Sequence, residues 1–549
     1  MSVQAAFAAT LVDEWVLGGV TDAVVCPGSR STPLALALAS RSELTLHVKL
    51  DERSAAFFSI GLALSTGRPP VICTTSGTAA AELHPGVVEA HQAGVPLIVC
   101  TADRPPELHG VGASQTIDQV GLFTTSTRWA FVPGVPDLDQ QASWRPLAVR
   151  ALAEARNGPR GPGPVHLNLA FRDPLTGAPD ALPPRRARQH VESVATVPTL
   201  MAPLTGPGLI IAGAGAARDS ENVLLLAERL GWPVMADPRS GCRRPGTVAA
   251  ADALARCDLP LAGTIVVLGA PWLSKALAGY VSTAADRGAR VIALDPFWQF
   301  TDPTRVVTEF CHADPDDWLG AAFEAARPTD STWRKQWQAL ESAAQAAIED
   351  VLGEHGQLSE PMVARALARH AAAVDAAIMV SASMPVRDLE WYAPVLPQPP
   401  AVFFNRGTNG IDGVVSTAMG IAATGRRTFA LMGDLAFLHD VSGLVNLADL
   451  PCTLVVLDNG GGGIFSFLPQ ADALASAEFE LLFGTPPTSD VGQVARGFGL
   501  PVHDVATAAE FEGALKEAAP SLVRVRVPGR TENVALHESI NQAVRRALT

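Results

Sequence analysis

The chain has 549 residues, too many for a single hydrophobic core, so several domains are expected. Hydrophobic residues make up 48% and charged residues 17%, a composition that excludes an intrinsically disordered chain. The formal net charge of −14 argues against nucleic acid or an anionic membrane surface as the partner.

The cysteines and the N-terminal segment favour a cytoplasmic protein. Seven cysteines without a C-x-x-C motif, several of them in apolar runs, are typical of reduced core residues. The first predicted helix carries Asp13 and Glu14 and follows no basic segment, unlike a secretory signal peptide. No uninterrupted apolar run reaches the length of a membrane span, so no membrane insertion is expected.

Helical and extended patterns alternate in the N-terminal third of the chain. The periodicity predicts helices over 3–17, 33–40, 52–65 and 78–93, and strands over 22–26, 44–48, 71–75 and 96–101. Such alternation is typical of a parallel sheet with helices on both faces. We therefore predict an α/β domain over 1–175, followed by a Pro- and Arg-rich linker over 176–206.

Two further α/β patterns follow. The first predicts a central domain over 207–325 and then a helical linker over 326–355. Its Gly213-Ala214-Gly215 occurs in dinucleotide sites, but the third glycine of that motif is missing, which favours a structural turn. The last pattern predicts a domain over 356–549, with strands near 377–381, 401–405, 428–432, 453–457 and 521–526 and a closing helix near 532–548. The predicted fold class is α/β, with three doubly wound parallel-sheet domains.

The stretch from Gly433 to Phe465 carries the strongest chemical signal. One apolar run ends at Gly433-Asp434-Leu435, and the next ends at Asn459, 25 residues after the aspartate and just before four glycines. Parallel strands end at the same sheet edge, so Asp434 and Asn459 are expected to face one crevice. Carboxylate, amide and backbone carbonyl oxygens suit Mg²⁺, which also takes phosphate oxygens. The alternative is a plain βαβ turn in which Asp434 caps a helix and Asn459 closes a turn.

This spacing resembles the signature of thiamine diphosphate (ThDP) enzymes. The resemblance implies that Asp434, Asn459 and the backbone carbonyl of Gly461 bind Mg²⁺ or Mn²⁺. It also implies that Glu52, otherwise a first-turn helix acid, hydrogen-bonds N1′ of the aminopyrimidine and promotes loss of the C2 proton. Ile411 is the candidate for the bulky residue that bends the cofactor. The implied cofactor-binding residues are Glu52, Thr78, Ile411, Gly433, Asp434, Leu435, Asn459 and Ile464.

A series of short motifs runs through the first and last predicted domains. They are Cys26-Pro27-Gly28-Ser29-Arg30-Ser31, Asp51-Glu52-Arg53, Thr75-Ser76-Gly77-Thr78-Ala79, Ala102-Asp103-Arg104-Pro105-Pro106-Glu107-Leu108, Gly112-Ala113-Ser114-Gln115-Thr116, Asn405-Arg406-Gly407, Gly410-Ile411-Asp412-Gly413 and Asn459-Gly460-Gly461-Gly462-Gly463-Ile464-Phe465. In this order they resemble the family of 2-succinyl-5-enolpyruvyl-6-hydroxy-3-cyclohexene-1-carboxylate (SEPHCHC) synthases of menaquinone biosynthesis. The resemblance implies decarboxylation of 2-oxoglutarate, 1,4-addition of the succinyl-semialdehyde carbanion to isochorismate, and a homodimer or homotetramer with active sites at the subunit interface.

The family pattern also implies a set of substrate contacts. Both substrates are dicarboxylates, and guanidinium groups grip carboxylates through paired hydrogen bonds. The implied substrate-binding residues are Ser29, Arg30, Arg104, Gln115, Ser383, Arg387, Arg406, Phe465 and Leu468. Gln115 is also a catalytic candidate beside Glu52, and Ile464, Phe465 and Leu468 would form an apolar wall that excludes water.

The chain departs from the family pattern in two places. Ser114 stands where the family often has Asn, and the central domain shows no clear basic substrate contact, with Lys275 and Gln299 as the candidates. Another ThDP-dependent 2-oxoacid decarboxylase or carboligase of acetolactate-synthase type is the alternative enzyme. A binding or regulatory protein that keeps the fold without catalysis is the alternative from another class.

Overall fold

The computed structural model describes residues 2–185, 203–270, 273–327, 330–445, 447 and 449–549. Most of the predicted linker over 176–206, from residue 186 to residue 202, lies outside the described residues. The chain divides into two compact units. The first unit comprises Met1–Ser193, Asn405–Thr428 and Ala436–Cys452, and the second comprises Val194–Phe404, Phe429–Leu435 and Thr453–Thr549.

The first unit is built on a six-stranded sheet in the order β2-β1-β3-β4-β6-β5. Its strands, which pair in parallel, are β1 (Asp22–Val25), β2 (Thr45–Val48), β3 (Val71–Thr74), β4 (Leu97–Asp103), β5 (Trp129–Phe131) and β6 (Pro164–Ala170). Its helices are α1 (Val3–Leu17), α2 (Thr32–Ala39), α3 (Glu52–Thr66), α4 (Thr78–Glu82), α5 (His84–Ala93) and α6 (Gln141–Asn157). Strands β3, β4 and β6 are buried throughout, as expected for parallel strands covered on both faces.

The second unit contains two sheets, of which the central one has the order β11-β10-β9-β7-β8. Its strands are β7 (Gly208–Ala212), β8 (Val234–Ala236), β9 (Thr264–Leu268), β10 (Arg290–Leu294) and β11 (Glu309–Cys311). The helices of this region are α7 (Ser220–Leu230), α8 (Ala251–Ala255), α9 (Lys275–Asp286), α10 (Pro315–Ala325) and α11 (Thr332–Glu354). Helix α11 buries Trp337, Ala344 and Ile348 in the same hydrophobic cluster as the central sheet.

The last sheet has the order β13-β12-β14-β15-β17-β16. Its strands are β12 (Ala377–Val380), β13 (Ala401–Phe404), β14 (Thr428–Gly433), β15 (Cys452–Asp458), β16 (Val502–Val505) and β17 (Ser521–Arg526). The remaining helices are α12 (Glu360–Ala373), α13 (Met384–Tyr392), α14 (Val414–Ala422), α15 (Asp434–His439), α16 (Gln470–Ala473), α17 (Ser476–Phe479), α18 (Val491–Gly497), α19 (Ala508–Ala514) and α20 (Arg530–Ala547). Short 3₁₀ segments lie at Pro106–Leu108, Leu138–Gln140, Pro238–Ser240, Val441–Leu444 and Gly463–Phe467, and a π segment lies at Glu480–Gly484.

The predicted fold class, three parallel-sheet α/β domains, is confirmed. The first and last sheets share one strand order when their strands are counted from the first in each. Two predicted helices were wrong in detail. The helix predicted over 78–93 is two helices, because Pro85 lacks the N–H that an unbroken helix needs there and instead starts α5. The helix predicted over 326–355 begins only at Thr332, after α10 has ended at Ala325.

Within the first unit, α3 and α14 cross at very short range. A Cβ on Gly61 would lie 2.1 Å from the carbonyl oxygen of Thr417, and one on Gly420 would lie 2.0 Å from that of Phe58. Only glycine permits this close approach. The contact holds the middle of α3 against α14, and it therefore also restricts the position of the N-terminal end of α3.

Two predictions from composition can be compared with the structure. All seven cysteines are free, and Cys26, Cys73 and Cys100 are buried as expected. Within the part of the chain that the structure describes, no helix combines the length and the apolar character that crossing a bilayer requires.

Candidate active site

Glu52 is the first residue of α3, and its neighbours anchor that end of the helix. The Asp51 side chain accepts from the Ser54 backbone N–H at 2.7 Å, so it caps the helix. Arg53 donates to the carbonyl of His439 at 3.0 Å, and the hydroxyl of Ser54 lies 2.7 Å from that of Ser442. Burial raises the pKa of the half-buried Glu52 carboxyl. The structure therefore holds an acid of raised pKa at a fixed helix end, as general acid–base chemistry requires.

Two of the predicted substrate arginines lie close together in the first unit. Arg30 donates to the carbonyl of Phe171 at 2.9 Å and forms an ion pair with Asp173 at 3.2 Å. Arg104 follows the last residue of β4 and contacts the hydroxyl of Ser76. Burial first, and then the nearby charge of Arg30, lowers the pKa of Arg104. Two guanidinium groups held this close favour an anion between or beside them.

Gln115 belongs to the same neighbourhood. Its backbone has a φ of 55°, its side-chain amide donates to the Ser76 carbonyl at 2.9 Å, and its own carbonyl accepts from the Ser76 hydroxyl at 3.0 Å. Ser76 thus joins Gln115 to Arg104, a role that the motif analysis did not predict. Ser29 and Thr78 are exposed, Ser29 just before Arg30 and Thr78 at the start of α4.

The loop that carries Arg406 is held by a buried glutamate. Glu89, on α5, accepts from the backbone N–H of Gly407 at 2.8 Å and from both the N–H and the hydroxyl of Thr408 at 2.7 Å. A Cβ on Gly407 would lie 2.5 Å from the carbonyl oxygen of Glu89, so the loop sits directly on the helix. Ile411, farther along the same loop, is 38% exposed, so it is not an ordinary core residue.

We expect Glu89→Ala to lower the free energy of unfolding by about 1–3 kcal/mol, because it removes the buried carboxylate that accepts three hydrogen bonds from Gly407 and Thr408. Thermal and urea denaturation measure the change. Glu107→Ala is the control, since Glu107 pairs with Arg172 at the surface and its loss is expected to change stability by about 1 kcal/mol or less. Equal losses in the two variants would contradict the role assigned to Glu89.

In the second unit, Asp434 and the glycine run meet at one edge of the last sheet. Strands β14 and β15 are neighbours, and Asp434 and Asn459 follow their last residues directly. The Asp434 carboxylate accepts from the backbone N–H of Leu435 at 2.7 Å, of Gly460 at 3.0 Å and of Gly461 at 2.9 Å. Burial raises the pKa of Asp434 to about 6, and the backbone donors oppose that rise. The Asp434 carboxylate thus reaches the residue that follows Asn459, across the carboxyl ends of two neighbouring strands.

Asn459 has one satisfied and one unsatisfied side-chain atom. Its Nδ2 donates to Oε1 of Glu360 at 2.8 Å, whereas its Oδ1 is buried with no hydrogen-bond partner among the described residues. An unpaired buried amide oxygen at the sheet edge that also carries the Asp434 carboxylate fits a divalent cation. A Cβ on Gly433 would meet no described atom within 4 Å, so open space adjoins the residue just before Asp434.

The predicted metal ligands include only one charged side chain. In the described residues no group of three or more His, Cys, Asp and Glu side chains could hold a metal. The predicted set needs only one such residue, Asp434, with the amide of Asn459 and the carbonyl of Gly461. That carbonyl accepts from the N–H of Gly463 at 2.8 Å and has a second lone pair. Hard oxygen donors of this kind suit Mg²⁺, and the residues present fit a Mg²⁺-bound diphosphate.

Ser383 and Arg387 lie at the N-terminal end of α13, after β12. Ser383 has a φ of 72°, and the Arg387 guanidinium donates to its carbonyl at 2.6 Å. Burial lowers the pKa of Arg387. Ile464, Phe465 and Leu468 are half-buried at or next to the 3₁₀ segment after the glycine run, and the Phe465 ring lies 5.4 Å from that of Phe483.

Comparison with known proteins extends over the whole chain. Residues 1–122 match the family model "Thiamine pyrophosphate enzyme, N-terminal TPP binding domain", residues 181–376 match "Middle domain of thiamine pyrophosphate", and residues 390–527 match "Thiamine pyrophosphate enzyme, C-terminal TPP binding domain". A benzoylformate decarboxylase from Polynucleobacter necessarius has the same fold, with a TM-score of 0.73 and 20% identity over 95% of this chain and 98% of that one. The fold and these models define a thiamine pyrophosphate (ThDP) enzyme.

Curated relatives show to which family of ThDP enzymes the chain belongs. A Thermobifida fusca protein is 41% identical over 100% of both chains, and a Chloroflexus aurantiacus protein is 38% identical over 98% of this chain and 96% of its own. A Lysinibacillus sphaericus protein is 38% identical over 96% of both. All three are named 2-succinyl-5-enolpyruvyl-6-hydroxy-3-cyclohexene-1-carboxylate synthase. The chain belongs to this family of ThDP-dependent transferases, as the motifs predicted.

Proposed function

We propose that this protein decarboxylates 2-oxoglutarate and adds the resulting four-carbon unit to isochorismate in a 1,4 fashion, giving SEPHCHC and CO₂ in menaquinone biosynthesis. The full-length similarity to named SEPHCHC synthases supports the reaction. One structural observation carries the choice of substrate class: in an acidic protein, Arg30 and Arg104, which follow β1 and β4 of one sheet, lie near enough for their charges to interact. Like charges are placed together where an anion such as a dicarboxylate binds.

ThDP, when bound, supplies a nucleophilic carbon and an electron sink. In our proposal Asp434, Asn459 and the carbonyl of Gly461 hold Mg²⁺ or Mn²⁺, which binds the diphosphate. The other cofactor contacts are Thr78, Ile411, Gly433, Leu435 and Ile464. Glu52 hydrogen-bonds N1′ and moves a proton there. Its raised pKa supports this role, because it favours the protonated carboxyl that donates to a ring nitrogen.

The remaining residues orient the substrates and exclude water. Arg30 and Arg104 bind carboxylates, with Ser29 and Gln115 adding hydrogen bonds, and Gln115 also acting at the reacting centre. We assign Arg387 and Arg406 the other carboxylate contacts, with Ser383 beside Arg387. Ile464, Phe465 and Leu468 supply an apolar wall against water.

The domain roles and the assembly belong to the same proposal. Residues 1–175 bind the aminopyrimidine, 356–549 bind the diphosphate, and the central domain over 207–325 lies between two linkers at 176–206 and 326–355. Following the family, Glu52 acts together with Asp434 and Asn459 of the partner subunit in a homodimer or homotetramer. The exposed apolar side chains of Leu46, Val48 and Leu50, on and next to the edge strand β2 just before Glu52, support such an assembly.

A coupled assay tests the reaction. We expect isochorismate, followed by its ultraviolet absorbance, to disappear only when the protein, ThDP, Mg²⁺ and 2-oxoglutarate are all present, with matching release of CO₂. CO₂ release at the same rate without isochorismate would instead indicate a decarboxylase. Formation of acetolactate from pyruvate would support the acetolactate-synthase alternative.

A further inference from the structure

Glu360 is a buried acid that the proposed mechanism does not use. It is the first residue of α12 and is 1% exposed, although acids at this helix position normally lie at the surface. Its Oε1 accepts from Nδ2 of Asn459 at 2.8 Å, and its carboxyl lies near that of Asp388, which is also fully buried. Burial and the adjacent Asp388 raise the pKa of Glu360 to about 8. Two buried facing carboxyls are unfavourable for folding, so packing alone does not account for them.

Other buried groups hold this pair in place. His537, on α20, lies with Nε2 3.1 Å from Oδ1 of Asp388, and its Nδ1 lies 2.9 Å from the hydroxyl of Tyr392. A row of neighbouring buried side chains therefore runs from Tyr392 through His537, Asp388 and Glu360 to Asn459. The row ends at the residue whose Oδ1 has no partner among the described residues.

The hydrogen-bond acceptor of Glu360 determines the orientation of the Asn459 side-chain amide. An ionised carboxylate only accepts hydrogen bonds, and a carboxyl protonated on Oε2 leaves Oε1 an acceptor too. Oε1 must therefore face the NH₂ group of Asn459, which directs Oδ1 the opposite way. If the amide turned over, its NH₂ group would face the cation, and a hydrogen-bond donor cannot coordinate Mg²⁺.

We propose that Glu360 is a positioning residue that orients the amide of Asn459, so that Oδ1 is presented to the metal of the cofactor. This inference rests on the metal site of the proposed function. Removing a residue that hydrogen-bonds to a metal ligand, and so orients it, typically weakens metal affinity about 10–100-fold.

The test measures binding rather than turnover. Purified apoprotein is titrated with ThDP at several Mg²⁺ concentrations by calorimetry, and thermal stability is recorded for each variant. Glu360→Leu removes the acceptor and is expected to weaken Mg²⁺-dependent ThDP binding about 10–100-fold. Glu360→Gln keeps a carbonyl acceptor for Asn459 and is expected to stay within about threefold of the unsubstituted protein.

Two further variants distinguish a loss of the Asn459 orientation from a general loss of protein stability. Glu341 is also a buried glutamate, and it accepts from the N–H of Ala250 away from the proposed site, so Glu341→Leu should lower thermal stability without changing the Mg²⁺ dependence. The double variant Asn459→Asp with Glu360→Gln reverses donor and acceptor across the same contact. It should bind Mg²⁺ and ThDP more tightly than Asn459→Asp alone, in which two carboxyls face each other.

The outcomes are distinct. Equal binding by Glu360→Leu and the unsubstituted protein would overturn the inference alone, and so would an equal loss in Glu360→Leu, Glu360→Gln and Glu341→Leu. If Glu360→Leu does not fold, failure of the double variant to exceed Asn459→Asp would overturn it. If the unsubstituted protein bound no ThDP with Mg²⁺ present, the proposed site would fall, and the inference with it.

Discussion

Replacement of Glu52 by glutamine is expected to slow loss of the C2 proton from bound ThDP by about 10²–10⁴-fold, the usual contribution of a positioned acid–base group. A glutamine amide can still hydrogen-bond to N1′, but it cannot give up or regain a proton there. Cofactor binding should change little, because the proposed diphosphate contacts lie on other residues. The measurement is hydrogen–deuterium exchange at C2, followed by NMR after acid quenching, beside calorimetric ThDP binding.

A neighbouring acid supplies the control for this variant. The negative charge of Glu82 contributes to the raised pKa of Glu52, yet Glu82 is exposed at the end of α4. Glu82→Gln should therefore leave C2 exchange within about threefold of the unsubstituted protein, far less than an acid–base group supplies. Normal exchange in Glu52→Gln would remove this residue from the proton transfer, whereas loss of ThDP binding would mean that Glu52 holds the cofactor instead.

Replacement of Asp434 by alanine is expected to have the second large effect, weakening Mg²⁺-dependent ThDP binding by about 100-fold or more. Removing a residue that only supports a metal ligand typically weakens metal affinity about 10–100-fold. A larger loss is expected for Asp434, because it would be a ligand itself. Without its carboxylate, Mg²⁺ would lose its charged protein donor and the diphosphate its bridge to the protein. Calorimetric titration of ThDP with and without EDTA measures the loss.

Asp434 also orders the glycine run, so its variant needs two controls. Asp434→Asn retains one acceptor oxygen for the N–H groups of Gly460 and Gly461, which tests whether a disordered loop explains the loss. Asp458→Asn removes the adjacent carboxylate, which binds Arg524 at 2.6 Å, and should keep Mg²⁺ affinity within about threefold. Unchanged affinity in Asp434→Ala would exclude this residue from the metal site.

The local pattern predicted many of the buried strands, but it missed β6 and β8, which are buried throughout, and the short edge strands β5, β11 and β16. Strands such as β7, β14 and β15 are continuous apolar runs ended by Gly, Asp or Asn, which are properties of a few neighbouring residues. Strands β5, β11 and β16 are short, largely unburied edge strands and leave no such run in the sequence. Their existence depends on the neighbouring strand with which they pair.

Some features of the candidate site were likewise predictable from the sequence, and others were not. Motif order predicted the family, and spacing predicted that Asp434 and Asn459 would face one crevice, because two strand ends at one sheet edge need only a regular βαβ crossover. The sequence could not predict that Glu360 would bind Asn459, 99 residues away, or that Glu89 would bind Gly407, 318 residues away. As first-turn or mid-helix acids, both have an ordinary sequence context.

The sequence by itself determined the class of enzyme and the fold class of three parallel-sheet α/β domains, and it supplied the hypothesis about which residues carry the chemistry. Only the tertiary structure decided which buried acids support those residues, that Ile411 is exposed, and that Asn459 has one side-chain atom held and the other free of described partners. The physical reason is that strand patterns and turns arise from neighbouring residues. The partners of a buried polar group are instead set by long-range packing, which must satisfy each such group wherever the chain places it.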